Sequence, residues 1–312
     1  MAKELIVGRF APSPSGRMHL GNVFTAFLAY ASAKSQGGKF LLRIEDLDTV
    51  RCKREYAQQL MDDLHWLGID WDEAPLWQSE RTLIYEKALQ KLREEHLAYP
   101  CTCSRAERRG TPSEASAPHD AAYARPCPCR YRTEQQKQAV LDSGVPVTWR
   151  FEAPDMTVNF TDGHYGPQSQ NLAKDWGDVV LRRSDGMFAY QLAVSVDDCA
   201  SGVTEIVRGR DLISSAGGQK FLQKKLNSRD VKYFHTPLLL APDGHRLSKR
   251  EKDLDFSALK KRYTAQELLG LLENLACHQR QVKTANWDEI LQNFDFKSVS
   301  NDDLVLNSIF FN

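Results

Sequence analysis

The segment RFAPSPSGRMHLGN, residues 9–22, sets Pro12, Pro14 and Gly16 directly before an apolar run, with His19 at the junction. Each proline fixes its own φ and pushes the preceding residue toward extended backbone. Gly16 permits a turn that other residues resist. Together they end a strand and aim the chain into a helix starting near His19. A helix N-terminus offers free N–H groups and the positive end of the dipole, a ready anion site. His19 would stand there as a donor, Gly21 would admit a ligand close to the first turn, and Asn22 adds a polar group. A second cluster, GHRLSKRE at 244–251, gathers Arg246, Ser248, Lys249 and Arg250 in one short loop after an apolar strand. Such a loop can bring an ammonium onto a cluster of phosphates. Taken singly, the first cluster reads equally as a helix cap and the second as an ordinary basic loop.

A third cluster is made of thiols. PCTCS at 100–104 and PCPCR at 126–130 are two Cys-x-Cys pairs, and Cys101, Cys103, Cys127 and Cys129 have the donor type of a tetrahedral zinc site. The chain has 7 cysteines, an odd number, and its start, MAKELIVGRF, lacks the apolar core of a signal peptide. Metal is therefore expected rather than disulfides, and a cytoplasmic location follows.

These residues need elements to hold them. Residues 4–10 read as a buried strand, 18–35 as a buried helix and 39–46 as the next strand. Helical segments follow near 52–67 and 79–97, so the first hundred residues predict a parallel α/β sheet. Residues 104–130, rich in Ala, Pro, Ser and Arg, read as an insertion with little core of its own. Short strands are expected at 147–152, 178–183, 188–194 and 203–208. A helix near 216–227 and the apolar run at 236–242 restore the α/β pattern. The tail from Phe256 is helical, with segments near 265–276 and 287–293.

Composition narrows the class. Hydrophobic residues make up 42% and charged residues 26%, as in ordinary globular proteins. No apolar run reaches the ~18–20 residues of a membrane span, so no membrane partner is expected. Net charge is zero, yet residues 205–262 carry 14 Lys and Arg against 7 Asp and Glu. That local excess is a possible phosphate-binding surface.

HLGN at 19–22 and RLSKR at 246–250 resemble the HIGH and KMSKS signatures of class I aminoacyl-tRNA synthetases. RFAPSPSGRMHLGN, LLRIEDLDTVR at 41–51 and YQLAVSVDDCASGVTEIVRGRDL at 190–212 are similar to glutamyl-tRNA synthetases in particular. The resemblance covers residues 5–255. It implies a Rossmann-type parallel sheet with an inserted zinc-bearing subdomain and a short helical C-terminal region. The expected division is 1–100 and 186–255 for the two halves of the catalytic domain, 101–185 for the insertion and 256–312 for the helical tail. The chain stops at Asn312, too soon for an anticodon-binding domain, and so resembles the truncated paralogues of glutamyl-tRNA synthetase. That family activates L-glutamate with ATP in the absence of tRNA and attaches it to the queuosine base in the anticodon of tRNA(Asp). Two alternatives stand beside it, a truncated synthetase charging a tRNA 3′ end and a non-catalytic tRNA-binding paralogue.

By this resemblance His19 and Lys249 are catalytic, and His19, Gly21, Asn22, Ser248 and Lys249 bind ATP, with Mg²⁺ bridging its phosphates. Arg9, Phe10, Ala11, Pro12, Ser13, Glu45, Tyr190 and Arg208 form the glutamate site. Two arginines suit two carboxylates, Glu45 an ammonium, and Tyr190 and Ser13 add hydroxyls. Which arginine takes which carboxylate is open, and an Arg9–Glu45 ion pair of purely structural role is the competing reading. The chain also departs from the family. Val194 stands where an asparagine is common, and Arg210 and Leu212 where glutamate and tryptophan are. The family's structural zinc site maps onto Cys101, Cys103, Tyr123 and Cys127. Cys129 is its rival on chemical grounds, and His119 a more distant one. The oligomeric state is not readable.

Overall fold

The computed structural model describes residues 5–104, 107, 127–245, 247, 254–277 and 282–306. Strand β1 (Val7–Phe10) pairs in parallel with β2 (Lys39–Ile44), and β2 with the short β3 (Leu76–Trp77). Helices α1 (Leu20–Ser35), α2 (Arg54–Trp66) and α3 (Thr82–Glu94) make the connections. Strand β4 (Ala98–Cys101) leads into the insertion. There α4 (Glu134–Asp142), β5 (Thr148–Phe151), the hairpin β6 (Thr157–Asp162) and β7 (Gly166–Asn171), and β8 (Val180–Arg182) follow. Helix α5 (Tyr190–Ala200), β9 (Glu205–Gly209), α6 (Ile213–Lys225), β10 (Lys232–Thr236) and β11 (Leu239–Leu240) return to α/β order. The last described elements are α7 (Phe256–Arg262), α8 (Ala265–Ala276), α9 (Trp287–Asn293) and β12 (Leu304–Val305).

Strand β9 pairs in parallel with β10 and lies beside β1, where the Thr204 N–H donates to the Val7 carbonyl at 3.0 Å. Two hydrogen-bonded sheets, β1-β2-β3 and β7-β6-β10-β9, thus lie side by side with β1 against β9, and the parallel succession β3-β2-β1-β9-β10 is the Rossmann-type α/β arrangement that the sequence predicts. The strand order reverses between β1 and β9, and the crevice beyond the carboxyl ends of such strands is where ligands bind. Arg9 and Phe10, Arg208 and Gly209, and Glu45 all stand at or just past those ends.

Helix α1 is apolar nearly all round because it is covered on both sides. Leu20, Val23, Phe24, Phe27 and Leu28 are fully buried. Trp287 from the C-terminal region closes over Tyr30 and Phe27, with ring centroids 4.5 and 5.4 Å apart, and its indole N–H donates to the Leu67 carbonyl. The C-terminal region is therefore part of the core around α1. It also supplies β12, which pairs in parallel with β11.

Two expectations change. Residues 188–194 were predicted as a strand, yet Tyr190–Ala200 is a helix. Its residues Gln191 to Asp198 are all buried, so no polar face shows the helical period, and β-branched Val194 and Val196 mimic a strand. The hairpin β6–β7 was not anticipated. It joins the sheet of β9 and β10, through the parallel pairing of Asp162 with Tyr233 on β10. Part of the basic excess of 205–262 is paired among the described residues. Lys220 meets Asp230, Lys225 meets Glu95, Arg210 meets Asp303 and Lys260 meets Asp63. No helix of the described residues is long and apolar enough to cross a membrane.

Candidate active site and cysteine cluster

A cavity of about 270 Å³ opens at the switch point. Its wall contains Arg9, Phe10, Ala11, Pro12, Ser13, His19, Gly21, Asn22, Glu45, Tyr190 and Arg208. These are the expected glutamate and ATP residues, brought together from three parts of the chain. Ser248 and Lys249 lie outside the described residues, but Leu247 lines the same cavity. Leu212, one of the positions that depart from the glutamyl family, stands in the same wall, and so does Asp211, which sequence reasoning missed.

The entry turn is built as its composition requires. Gly16 has φ of 143°, a conformation that side-chain-bearing residues avoid. His19 caps α1: the Gly21 N–H donates to its Nδ1 at 3.1 Å, and the His19 N–H donates to Asn22 Oδ1 at 3.2 Å. Capping and function do not compete here. With Nδ1 accepting, the neutral ring carries its proton on Nε2 and keeps a donor. Within the basic loop, the Leu247 N–H donates to the Leu239 carbonyl; beyond the loop, Asp255 forms a backbone bridge with His19, and the Phe256 N–H donates to the Met18 carbonyl at 2.9 Å.

The charged groups are not paired as the structural reading supposed. Arg9 does not hydrogen-bond Glu45. Its Nε donates to Asp198 Oδ1 at 3.2 Å and its Nη1 to the Val207 carbonyl. Arg43, on β2, donates to the same Asp198 oxygen at 2.6 Å and to Glu45 Oε1 at 3.2 Å. Burial alone would raise the Asp198 carboxyl, but two guanidiniums overcome it and hold it below the usual carboxylate range. Glu45 goes the other way: burial raises it, and Arg43 offsets this only in part. A buried carboxylate in that condition favours a further cation in the cavity.

Arg208 is held differently. Its Nε donates to His235 Nε2 at 3.1 Å, its Nη1 to Gln219 Oε1 at 2.6 Å and its Nη2 to the Leu212 carbonyl at 3.1 Å. Behind His235, the Asp162 carboxylate accepts from Nδ1 at 2.6 Å. Burial lowers His235 to about 4, against the pull of Asp162, so the imidazole is neutral at pH 7. Of the positions that depart from the glutamyl family, Val194 is packed in the core. Arg210 forms an ion pair with Asp303, whose carboxylate also accepts the Leu238 N–H at 2.9 Å.

The four sulfurs of Cys101, Cys103, Cys127 and Cys129 lie within 4.8 Å of one another. Separations of 3.4, 3.3 and 3.5 Å link Cys101 to Cys127, Cys103 to Cys127 and Cys103 to Cys129. None is in a disulfide. Zn–S bonds of about 2.3 Å in a tetrahedron put sulfurs ~3.8 Å apart, so the set fits zinc with little adjustment. Burial pushes the Cys101 thiol up to about 11, a cost that a bound cation removes. The cluster rests on a rigid base: Asp178 accepts from Tyr99 at 2.8 Å and from Arg130 at 2.8 Å. Tyr123 and His119 lie outside the described residues.

The sheet order, the capped helix and the cavity define a nucleotide-fold synthetase core. The chain belongs to the class I tRNA synthetases acting on glutamate and glutamine, whose catalytic-domain model matches residues 5–309, and it is a ligase-type enzyme. Within that family, glutamyl-Q tRNA(Asp) synthetases are among its curated relatives. The protein from Nitratidesulfovibrio vulgaris is 43% identical over 283 residues, 87% of this chain and 86% of that one. The one from Symbiobacterium thermophilum is 40% identical over 307 residues, 95% of this chain and 94% of that one. A crystal structure of glutamate-tRNA synthetase from Elizabethkingia anophelis superposes with a TM-score of 0.85 at 26% identity, covering 99% of this chain and 69% of that chain.

Proposed function

We propose that this enzyme activates L-glutamate as glutamyl-adenylate without tRNA and transfers it to the queuosine base of tRNA(Asp). One observation carries the reading. Residues from distant parts of the chain, selected for a glutamate and an ATP site, line a single cavity at the switch point. The acceptor follows the names of the curated relatives.

The first step is attack of the glutamate α-carboxylate on the α-phosphorus of ATP, with pyrophosphate leaving. Such chemistry asks the protein for placement and charge neutralisation. His19 and the first N–H groups of α1 hold phosphate oxygens, and Lys249 neutralises charge on the leaving group. Mg²⁺ bound with ATP would supply further screening of the phosphate charge. Glu45, raised by burial, takes the glutamate ammonium. Arg9 and Arg208 serve the two carboxylates, and Tyr190 and Ser13 add hydroxyl contacts.

The transfer is tested with radiolabelled glutamate, ATP and two tRNA(Asp) preparations, one with queuosine and one without. Label is expected only on the modified tRNA and should survive removal of its 3′ adenosine. Label on the 3′ adenosine of tRNA(Glu) would establish a truncated charging enzyme instead.

The cysteine cluster is proposed to hold one structural zinc, with Cys129 rather than Tyr123 as the fourth ligand. Protein purified without chelators should carry one zinc per chain by elemental analysis. A Cys101→Ser, Cys103→Ser double variant should lose it, and so should Cys129→Ser. Retention in Cys129→Ser with loss in Tyr123→Phe would give the fourth place to Tyr123.

A further inference from the structure

The two buried arginines of the cavity are treated unlike. Arg9 shares the Asp198 carboxylate with Arg43 and is neutralised at contact distance. Arg208 gives its hydrogen bonds to three neutral acceptors, an imidazole nitrogen, a carboxamide oxygen and a backbone carbonyl. Its nearest carboxylate in that chain of bonds, Asp162, is one imidazole ring away. Arg208 is 5% exposed and Asp162 only 1%. A buried guanidinium with neutral partners keeps its attraction for an incoming anion. One already bonded to a carboxylate keeps less of it for a ligand.

We infer that His235 and Asp162 are positioning residues for substrate: they orient Arg208 and hold a carboxylate one ring away from it, leaving its charge for a carboxylate of glutamate. The inference rests on the glutamate reading above. Its logic is tautomeric. Arg208 can only donate, so His235 Nε2 must accept and Nδ1 must carry the proton. Asp162 fixes that state by accepting from Nδ1–H, and is itself held by the N–H groups of His164 and Tyr165 at 3.0 and 2.9 Å. A carboxylate placed directly on Arg208 would orient it equally well and cancel it. The neutral ring between them separates orientation from neutralisation. Asp162 comes from the tip of the β6 strand, so the hairpin that joins the sheet from the insertion contributes to the amino-acid site.

The test is glutamate-dependent ATP–pyrophosphate exchange by the full chain carrying Asp162→Asn. The amide keeps the shape but turns a donor toward His235 Nδ1. The imidazole proton then moves to Nε2 and faces the Arg208 Nε–H, donor against donor. KM for glutamate should rise about 10- to 100-fold, the worth of a hydrogen bond to a charged group, with KM for ATP unchanged. ¹⁵N NMR should show the His235 proton on Nδ1 in the parent protein and on Nε2 in the variant. His235→Gln, whose carboxamide can accept from Arg208 and donate to Asp162, should restore most of the affinity that His235→Phe loses. That second pair decides the matter if Asp162→Asn does not fold. An unchanged KM for glutamate in folded Asp162→Asn, equal KM values in the Gln and Phe variants, or a parallel rise in KM for ATP would overturn the inference. Absence of glutamate-dependent exchange in the parent protein would instead overturn the glutamate reading itself.

Discussion

Asp198→Asn should lower the stability of the fold by about 3–5 kcal/mol, the cost of breaking a buried ion pair from one side. The shape is nearly unchanged, so the loss is one of charge. Two guanidiniums, Arg9 and Arg43, converge on one oxygen of Asp198, and all three side chains are at most 5% exposed. Without the carboxylate, two buried cations face each other with Glu45 and the more distant Asp197 as the remaining acids. Urea unfolding of the parent and the variant at pH 7 measures the difference. A loss below about 1 kcal/mol, typical of a surface pair, would show that the triad does not hold the sheet. The effect also depends on pH in a defined direction. Asp198 titrates lower in the folded protein than in the unfolded chain. Its contribution is therefore complete above the ordinary aspartate range near pH ~3.9 and is lost as pH falls through its lower folded value. Parent and variant should converge in stability on acidification.

Lys249→Ala should cut glutamate-dependent ATP–pyrophosphate exchange by about 10²–10³-fold, the usual cost of one preorganised charge contact in a transition state. Lys249 follows, by two residues, Leu247 in the cavity wall, and it precedes the backbone bridge between Asp255 and His19. A segment between those two points can place an ammonium over phosphates held at the helix cap. Far-UV circular dichroism and the unfolding midpoint should match the parent protein. Exchange at the parent rate would remove Lys249 from the mechanism.

The cavity was legible because its motifs are local. Arg9 to Ser13 and His19 to Asn22 are contiguous, and their glycine and prolines dictate a turn into a helix. Glu45 and Arg208 stand at or just beyond strand ends, where a parallel sheet presents ligand-binding residues. What holds these residues was not legible. Asp198 is 189 residues from Arg9 and 155 from Arg43, and Asp162 is 73 from His235. In sequence, an acidic pair such as Asp197-Asp198 looks like the wet end of a helix. Both are buried, Asp197 accepting from Gln78, Arg81 and Tyr85. Local pattern reports burial only when one face differs from another. In α5 none does, and the strand expected there gave way to a helix. The Arg9–Glu45 pair supposed from neighbouring strands failed for the same reason, since Asp198 from a later helix takes Arg9.

The shared carboxylate also orders events during synthesis. Arg9 and Arg43 leave the ribosome long before Asp198, and at ~5–20 residues per second the 189-residue gap is roughly 10–40 s. Through that interval Arg9 lacks its carboxylate and Arg43 has only the local Glu45. The first two strands cannot close into a dry sheet at a tolerable cost. The amino-terminal half must therefore stay open, or sheltered, until α5 emerges and β9 docks against β1. The contact that completes the sheet is the same one that fixes Arg9 in the cavity wall. A nascent chain consequently holds no half-built amino-acid site, and this part of the site forms with the sheet in a single late step.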